Sequence, residues 1–512
     1  MISEIYSCSV LGIDGFMVQV EADISKGLPS YALVGLPDTA VKESKERVFS
    51  SIKNNGFKYP MKRITINLAP ADIKKEGPWY DLPIAMGILT ASEEISPEID
   101  LNKTIFIGEL SLKGEIRPVR GILPMILEAK AKGFSSAVIP WENAREASLV
   151  EGIKIHPAKN LMQTIEHVCG MREIETYSSN LAELLENNTD FSFDFSDVKG
   201  QNHVKRAMEV AAAGYHNIIM IGPPGSGKTM LARRFPSVLP PLSPEEALEA
   251  TKIYSISGML KGRSLITERP FRSPHHTISK ISLIGGGQVP KPGEVSLAHL
   301  GVLFLDEMPE FQKSALEVLR QPMEDKFVNI SRVNATLTYP ASFLLVSSIN
   351  PCPCGYYGDE THNCQCTPRQ IKNYLNKISG PLLDRIDIHI EVKRTAYEDL
   401  ENDAEEESSL SIKERVNRAR DIQLDRYKNE NIFFNSQLGA SQIKKYCSMD
   451  KEAKSLVKDA FEAMNLSARA YHRIIKLART IADLDGREGI DGRHIGEAIQ
   501  YRSLDRKYWE VF

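Results

Sequence analysis

No run of about 18 apolar residues occurs in the 512-residue chain, which excludes a membrane-spanning helix. The opening MISEIYSCSVLGIDG has no charged stretch leading into an apolar one, so no signal peptide is expected and the chain is expected in the cytoplasm. An excess of one charge is missing too. The formal net charge is only −4 at pH 7, so nothing global attracts nucleic acid, and any DNA contact must come from a local patch. Cysteine is scarce, at seven residues, and Cys8, Cys169 and Cys447 are scattered, which argues against a disulfide framework. No internal repeat marks a solenoid. What is present is an ordinary globular composition, 42% hydrophobic and 25% charged. The length allows roughly two to four domains, each with its own core.

Pattern divides the chain into an α/β domain over 1–175, a polar linker over 176–197, a second α/β segment over 198–393 and a helical remainder over 394–512. In the first domain FMVQVEADI and RITINLAP are strand-like, VKESKERVFSSIKNNG predicts a helix ending at Gly56, and KTIFIGELSLKGEIRPV predicts a hairpin. The linker stretch YSSNLAELLENNTDFSFDFSDV loses its period. Seven acids and no base fall between Glu398 and Glu407, the pattern of a solvated loop. Further on, ARAYHRIIKLARTIADL puts Tyr471, Ile474, Ile475, Ala478 and Ile481 on one helix face, with Arg473, Lys476 and Arg479 mainly off it.

HNIIMIGPPGSGKTMLARRF carries the strongest chemical signal. An apolar strand, Ile218 to Ile221, runs into Gly222, Pro223, Pro224, Gly225, Ser226, Gly227, Lys228 and Thr229, and a helix follows. Glycines let backbone N–H groups wrap phosphates, and the helix N-terminus adds a favourable dipole. In such a loop the lysine reaches the β and γ phosphates and the hydroxyl binds Mg²⁺. ATP and Mg²⁺ are the expected ligands. GVLFLDEMPEF adds a buried strand, Val302 to Leu305, that delivers Asp306 to hold Mg²⁺ and Glu307 to polarise an attacking water. A third apolar strand, in ASFLLVSSIN, ends at Asn350, an amide able to orient that water.

Asn350 at a strand tip resembles sensor 1 of AAA+ ATPases. Arg385, in GPLLDRIDIHIEV, resembles the arginine finger that one AAA+ subunit inserts into its neighbour's ATP site, where a trans arginine is worth orders of magnitude in rate. Pairing with Asp384 or Asp387 is the structural alternative. LSARAYHRII resembles a sensor 2 helix, with Arg469 the better match for contacting ATP and Arg473 the second choice; a solvated helix arginine is the alternative for either. RPFRSPHHTISKISLIGGGQVPKPGEVSLAHLGVLFLDE, with its turn at Gly285-Gly286-Gly287, and KFVNISRVNATLTYP look like the helix-2 insert and pre-sensor-1 hairpin of the magnesium-chelatase-like AAA+ branch.

Over nearly the full chain these blocks and their order closely resemble the ComM/YifB family. The resemblance implies an α/β protein with a parallel-sheet AAA+ core and a helical lid, assembled as a homo-oligomer, a hexamer. It implies an ATP-driven motor for branch migration and strand exchange on DNA, branched or single-stranded, during recombination in natural transformation. Recombination proteins are implied partners, and no membrane is. Both insertions then face a ring pore, with Lys280, Lys291, Lys326 and Arg332 as sequence-independent phosphate contacts, although exposed lysines occur on every surface. Two other readings stay open: a chelatase-type motor that remodels a protein partner, and a scaffold that binds ATP mainly to assemble. The extra N-terminal domain counts against the first, and Glu307, Asn350 and Arg385 count against the second.

That N-terminal domain, through KEGPWYDLPIAMGIL and GELSLKGEIRPVRGILPMILEAKAKGFSSAVIP, resembles the proteolytic domain of Lon proteases. There a Ser follows Gly-Pro and a Lys sits shortly after a Gly-Gly turn. Here the Ser position is Trp79, and the stretch from Gly121 to Met125 holds no lysine. The resemblance implies a degenerate Lon-protease-like α/β domain without peptidase chemistry.

Finally, SSINPCPCGYYGDETHNCQCTP forms an insertion over 351–368 with Cys352, Cys354, Cys364 and Cys366. Four thiolates suit a structural tetrahedral Zn²⁺ and leave no open position for catalysis. The C-x-C spacing is tighter than usual, His362 is a substitute ligand, and a redox pair or an unmetallated loop stays open.

Overall fold

Alternate residues of Asp14–Ser25 point inward: Val18, Val20, Ala22 and Ile24 are buried and their neighbours are not. That is the period of a half-buried strand. In the computed structural model this strand (β2) pairs antiparallel with Ile2–Leu11 (β1) and, after Ser30–Val34 (β3), with Arg63–Ala69 (β4). The structure describes residues 2–186, 193–260, 262–287, 290–332, 335–359, 361–395, 397, 401, 406–430, 432–464, 466–504 and 508–509, without the side chains of Glu186, Arg332 and Ala335.

Thr104–Phe106 (β5), Ser136–Pro140 (β8) and Lys154–Ala158 (β9) extend the first sheet in parallel to seven strands, in the order β3-β4-β2-β1-β5-β8-β9. The stretch from Lys103 to Val119 is thus more than the expected hairpin. It gives a sheet strand, leaves the sheet at Gly108, and only then forms the short hairpin Glu109–Leu110 (β6) with Ile116–Arg117 (β7). Gly108 is required there because a Cβ would come 2.6 Å from Ile116 Cγ2. The helix Asp81–Ala91, buried on nearly every side, packs on β1 and β2.

By its contacts the chain forms two units, 1–187 with 244–267, and 188–243 with 268–512. The helix Pro244–Ser257, inside the segment expected to be the second α/β domain, therefore belongs to the first unit. Its Ser255 hydroxyl donates to the buried carboxylate of Glu146, which also accepts from the Leu123 N–H at 3.1 Å.

The second unit is built on Ile218–Ile221 (β10), Phe271–Arg272 (β11), Val302–Leu305 (β14), Leu344–Ile349 (β17) and Ile388–Glu391 (β18), all parallel, in the order β11-β14-β17-β10-β18. Strands buried on both faces read as unbroken apolar runs, as β10 and β14 do. Two antiparallel hairpins lie outside that sheet. One pairs Gly285–Gly286 (β12) with Lys291–Pro292 (β13), and the other pairs Phe327–Arg332 (β15) with Ala335–Pro340 (β16). They adjoin one another, with Tyr339 OH donating to the Pro290 carbonyl at 3.0 Å.

Helices fill the remainder, among them Ser409–Tyr427, Lys451–Ala463, Ala468–Leu484 and Gly492–Gln500. On Ala468–Leu484 Ile474, Ile475, Ala478 and Ile481 are buried as expected and Tyr471 partly so, but Arg479 is buried too. Its guanidinium holds Asp483 and the carbonyls of Arg487 and Glu488, so no hydrogen-bonding arm is stranded. The acidic run also departs from a simple solvated loop at its end. Glu406 bonds the buried Lys205 ammonium at 2.6 Å and the Gly200 N–H at 2.7 Å, and Glu407 pairs with Arg415. Within that run 398–400 and 402–405 lie outside the described residues, as do 187–192 of the expected linker. Among the described residues no helix is long and apolar enough to cross a membrane.

Candidate ATP-binding site

A parallel sheet ends all its strands at one edge, and ligands bind in the crevice beyond that edge. Gly222 follows β10, Asp306 follows β14 and Asn350 follows β17. The register pairs Ile221 with Ile349 and Leu305 with Ser347, which brings the three tips together.

Each glycine of the loop from Gly222 to Gly227 has its own reason, close packing at Gly222 and backbone conformation at the other two. A Cβ on Gly222 would meet the Val392 carbonyl oxygen at 2.1 Å. Gly225 and Gly227 take φ of 76° and 88°, the left-handed region glycine tolerates, and Gly225 faces open space. Ser226 Oγ is buried with no hydrogen-bond partner among the described residues. Lys228 opens the helix Lys228–Arg234, and its ammonium donates to the carbonyls of Gly222 (2.7 Å) and Pro223 (2.8 Å) and to Asn350 Oδ1 (3.2 Å). Burial pulls the Lys228 ammonium down to about 8, against the opposing field of Asp306 and Glu307.

Thr229 Oγ1 donates to Asp306 Oδ2 at 2.9 Å. Ser348, unremarked in the sequence, donates to the other Asp306 oxygen and accepts from the Glu307 N–H at 3.1 Å. A hydroxyl inside a fully buried strand is the signal that would have found it. Glu307 is exposed, with φ of 50°, uncommon for a residue with a side chain. These groups fit Mg²⁺·ATP: an open loop with an unpartnered hydroxyl, an ammonium, and a hydroxyl–carboxylate pair of hard oxygen donors.

Arg385 is placed elsewhere. It lies three residues before β18, whose Ile388 pairs with Ile218 at the start of β10, whereas the phosphate loop follows the end of β10. Four residues of strand separate the two edges by about 13 Å. Arg385 is 9% exposed, its Nε has no partner among the described residues, and its guanidinium pairs with Glu324. Neither Asp384 nor Asp387 is that partner. Asp387 instead holds Arg473 and His216, each at 3.3 Å. Burial works to raise the Asp387 carboxyl, but the bond from His216 and the Arg473 charge prevail and hold it below the usual carboxylate range. Arg473 also donates to the Ile386 carbonyl. Arg469, exposed one turn earlier, bears electrostatically on Glu324, the partner of Arg385. Arg469 and Arg473 thus gather at the Arg385 edge, not beside their own phosphate loop.

Of the residues expected to contact DNA, Lys280 and Lys291 are exposed on the first insertion, and Lys280 lines a cleft with Glu324 and Arg385. Lys326 differs from the expectation. It is half-buried and donates to the Met323 carbonyl at 2.9 Å, and desolvation depresses its ammonium, so it is not a free phosphate contact. The Arg332 side chain and residues 288–289 and 333–334 lie outside the described residues.

Cys352, Cys354, Cys364 and Cys366 come together directly after Asn350, with all four sulfurs within 4.8 Å of one another. Three of the separations are 3.3, 3.6 and 3.7 Å. A tetrahedron with ~2.3 Å zinc–sulfur bonds puts its sulfurs about 3.8 Å apart, so the cluster is consistent with zinc. His362 is not part of it. That ring stacks on Tyr356 and bonds Thr361 and Arg394.

In the first unit, the Trp79 ring lies over Gly77, where a Cβ would meet it at 2.2 Å. Beside it Asp81 is fully buried, bound by Arg47 (2.6 and 3.0 Å) and by the Leu110 N–H. Burial raises its carboxyl to about 6 in spite of Arg47. The group is structural, and no nucleophile stands at position 79.

The five-stranded sheet and its tip residues define an AAA+ ATPase of the magnesium-chelatase type. Residues 194–400 match the family described as magnesium chelatase, subunit ChlI; 20–143 match subunit ChlI of Mg-chelatase and 406–502 its C-terminal part. Competence protein ComM of Haemophilus influenzae is 42% identical over 504 residues, covering 98% of this chain and 97% of the relative. YifB of Escherichia coli is 42% identical over 506 residues, 99% and 98% of the two chains. Lon protease 2 of Bacillus subtilis is 33% identical over 129 residues, 25% of this chain and 22% of that one. The chain belongs to the ComM/YifB family, and its N-terminal region is distantly similar to Lon protease.

Proposed function

We propose that this chain works as a ring of identical subunits, six with nucleotide bound, in which ATP hydrolysis drives branch migration and strand exchange on branched or single-stranded DNA during recombination in natural transformation. The supporting observation is the division of hydrolytic groups between two edges of one sheet. Lys228, Thr229, Asp306, Glu307 and Asn350 stand at one edge, and Arg385 and Arg469 at the other. A subunit built this way needs a neighbour's arginines to complete its site, and in a closed ring each subunit's site faces the arginine edge of one of its two neighbours. Bound Mg²⁺·ATP would supply the phosphoryl group and its counter-ion, held by Lys228, Thr229 and Asp306. Glu307 takes the proton of the attacking water, and Asn350 orients that water. Similarity to a protein named for competence supports DNA as the substrate on which the work is done. Lys280 and Lys291, exposed on the first insertion, are the contacts to its backbone, and recombination proteins in the cytoplasm are the partners.

ATP turnover measured with and without forked and four-way DNA, at low and moderate salt, tests this. DNA-stimulated turnover that fades with salt and vanishes in Lys228→Ala is expected. Turnover indifferent to every form of DNA sinks the DNA reading. Glu307→Gln should bind nucleotide and lose turnover by about 100-fold or more.

A further inference from the structure

The loop that carries the four cysteines touches the phosphate loop itself. Gly355, the residue after Cys354, has φ of 85°, and a Cβ there would come 2.6 Å from Pro224 Cδ. Gly355 can approach this closely only because it has no side chain, and its N–H closes a turn onto the Cys352 carbonyl at 3.0 Å. The cluster is also anchored at both ends. Cys352 is buried two residues after Asn350. Cys366 is followed by Thr367, which caps the helix Pro368–Leu375, and Tyr374 of that helix lies near the Asn350 backbone. A further tie comes from Arg394, which meets Asp359 at 3.5 Å and lies over the Tyr356 ring. Two residues before it, the Val392 carbonyl occupies the space of a Gly222 side chain. The phosphate loop is therefore held between Val392 and Gly355, and the cysteine loop bears on both.

We propose that Cys352, Cys354, Cys364 and Cys366 bind one zinc ion and that this ion governs nucleotide affinity by fixing Gly355 against Pro224. Without a cross-link, the stretch from Cys352 to Cys366, whose described residues form no helix or strand, would have to order itself to form that wall. Four thiolates on one ion close the loop without offering an open coordination position, so its role is mechanical. The coupling rests on the reading of Gly222–Thr229 as the ATP site, whereas the metal half stands on the sulfur geometry alone.

The test uses the full chain. Elemental analysis should find one zinc per chain, and cobalt substitution should give thiolate-to-cobalt charge-transfer absorption. Affinity for a fluorescent ADP analogue should then fall about tenfold when a chelator strips the metal and return when zinc is restored, with circular dichroism confirming that the chain stays folded. Gly355→Ala should keep its zinc and still lose affinity, which separates the contact from general unfolding. Lys228→Ala should keep its zinc and lose the nucleotide. A chain with no zinc and no cobalt–thiolate band overturns the metal site. Zinc present with affinity unchanged by stripping and by Gly355→Ala overturns the coupling. If the wild-type chain binds no nucleotide while holding zinc, the ATP-site reading falls, and the coupling with it.

Discussion

The Lys228 ammonium donates to the side-chain oxygen of Asn350 at 3.2 Å, so the phosphate-loop lysine and the tip of the neighbouring strand are joined directly. The same lysine bonds two carbonyls of its own loop, and these contacts together bury it enough to lower its proton affinity to about 8.

A pH dependence of nucleotide binding follows. Phosphate charges favour the ammonium form, so the lysine's pKa rises on binding. Above pH 8 the free site is increasingly neutral and must take up a proton to bind. Affinity should therefore fall as pH rises beyond 8, with proton uptake visible by calorimetry in buffers of different ionisation enthalpy. Binding at pH 8.5 without proton uptake contradicts this.

Arg385 should act only across subunits. Arg385→Ala is expected to cut turnover by about 10³ while leaving nucleotide binding intact. Its partner Glu324 is half-exposed and can be solvated once the arginine is gone, so stability should change by no more than about 1 kcal/mol. The decisive experiment mixes Arg385→Ala with Lys228→Ala chains, each inactive alone. Recovery of turnover in the mixture is expected, since one supplies the phosphate loop and the other the arginine. No recovery at any ratio argues for a role within one subunit.

Arg479 carries stability and no chemistry. Arg479→Met would leave the carbonyls of Arg487 and Glu488 without their donor, although Arg426 would still hold Asp483. Truncating a buried ion pair of this kind costs roughly 3 kcal/mol, which thermal unfolding should register as a clear drop in Tm. A surface arginine would show almost no change.

Glu146 should make the first unit more stable in acid than in base. Burial raises its carboxyl to about 7 despite bonds from Ser255 and Leu123. A carboxyl raised on folding is held protonated by the native state, so its stabilising contribution is full below the unfolded pKa of about 4.3. That contribution is lost as pH climbs towards 7. Glu146→Gln keeps both acceptor contacts and should flatten the decline in Tm between pH 5 and pH 8. An unchanged slope in the variant assigns the pH effect to other groups.

The phosphate loop, its strand and the acidic pair at Asp306 and Glu307 were legible in the amino-acid sequence because each depends on neighbours within a few residues. Glycine spacing sets the turn, an apolar run sets the strand, and the following residue lands at the sheet edge. The four cysteines were legible as a set for the same reason. Arg479 was misplaced because helical periodicity ranks residues by polarity, whereas burial of a charge depends on acceptors brought by a distant turn. Lys326 was misplaced for a related reason: a short backward bond to Met323 competes with solvent, and spacing does not reveal it.

The amino-acid sequence by itself thus determined which groups are available: a glycine-rich loop with its lysine, an acidic pair, a strand-tip amide and a four-cysteine cluster. Tertiary structure decided which of these groups lie side by side. Parallel register alone carries Arg385 to the edge opposite its own phosphate loop, and chain crossing alone brings Gly355 against Pro224 and Ser348 against Asp306. Those relationships join residues far apart along the chain, where the free energy of packing, not local preference, selects the neighbours.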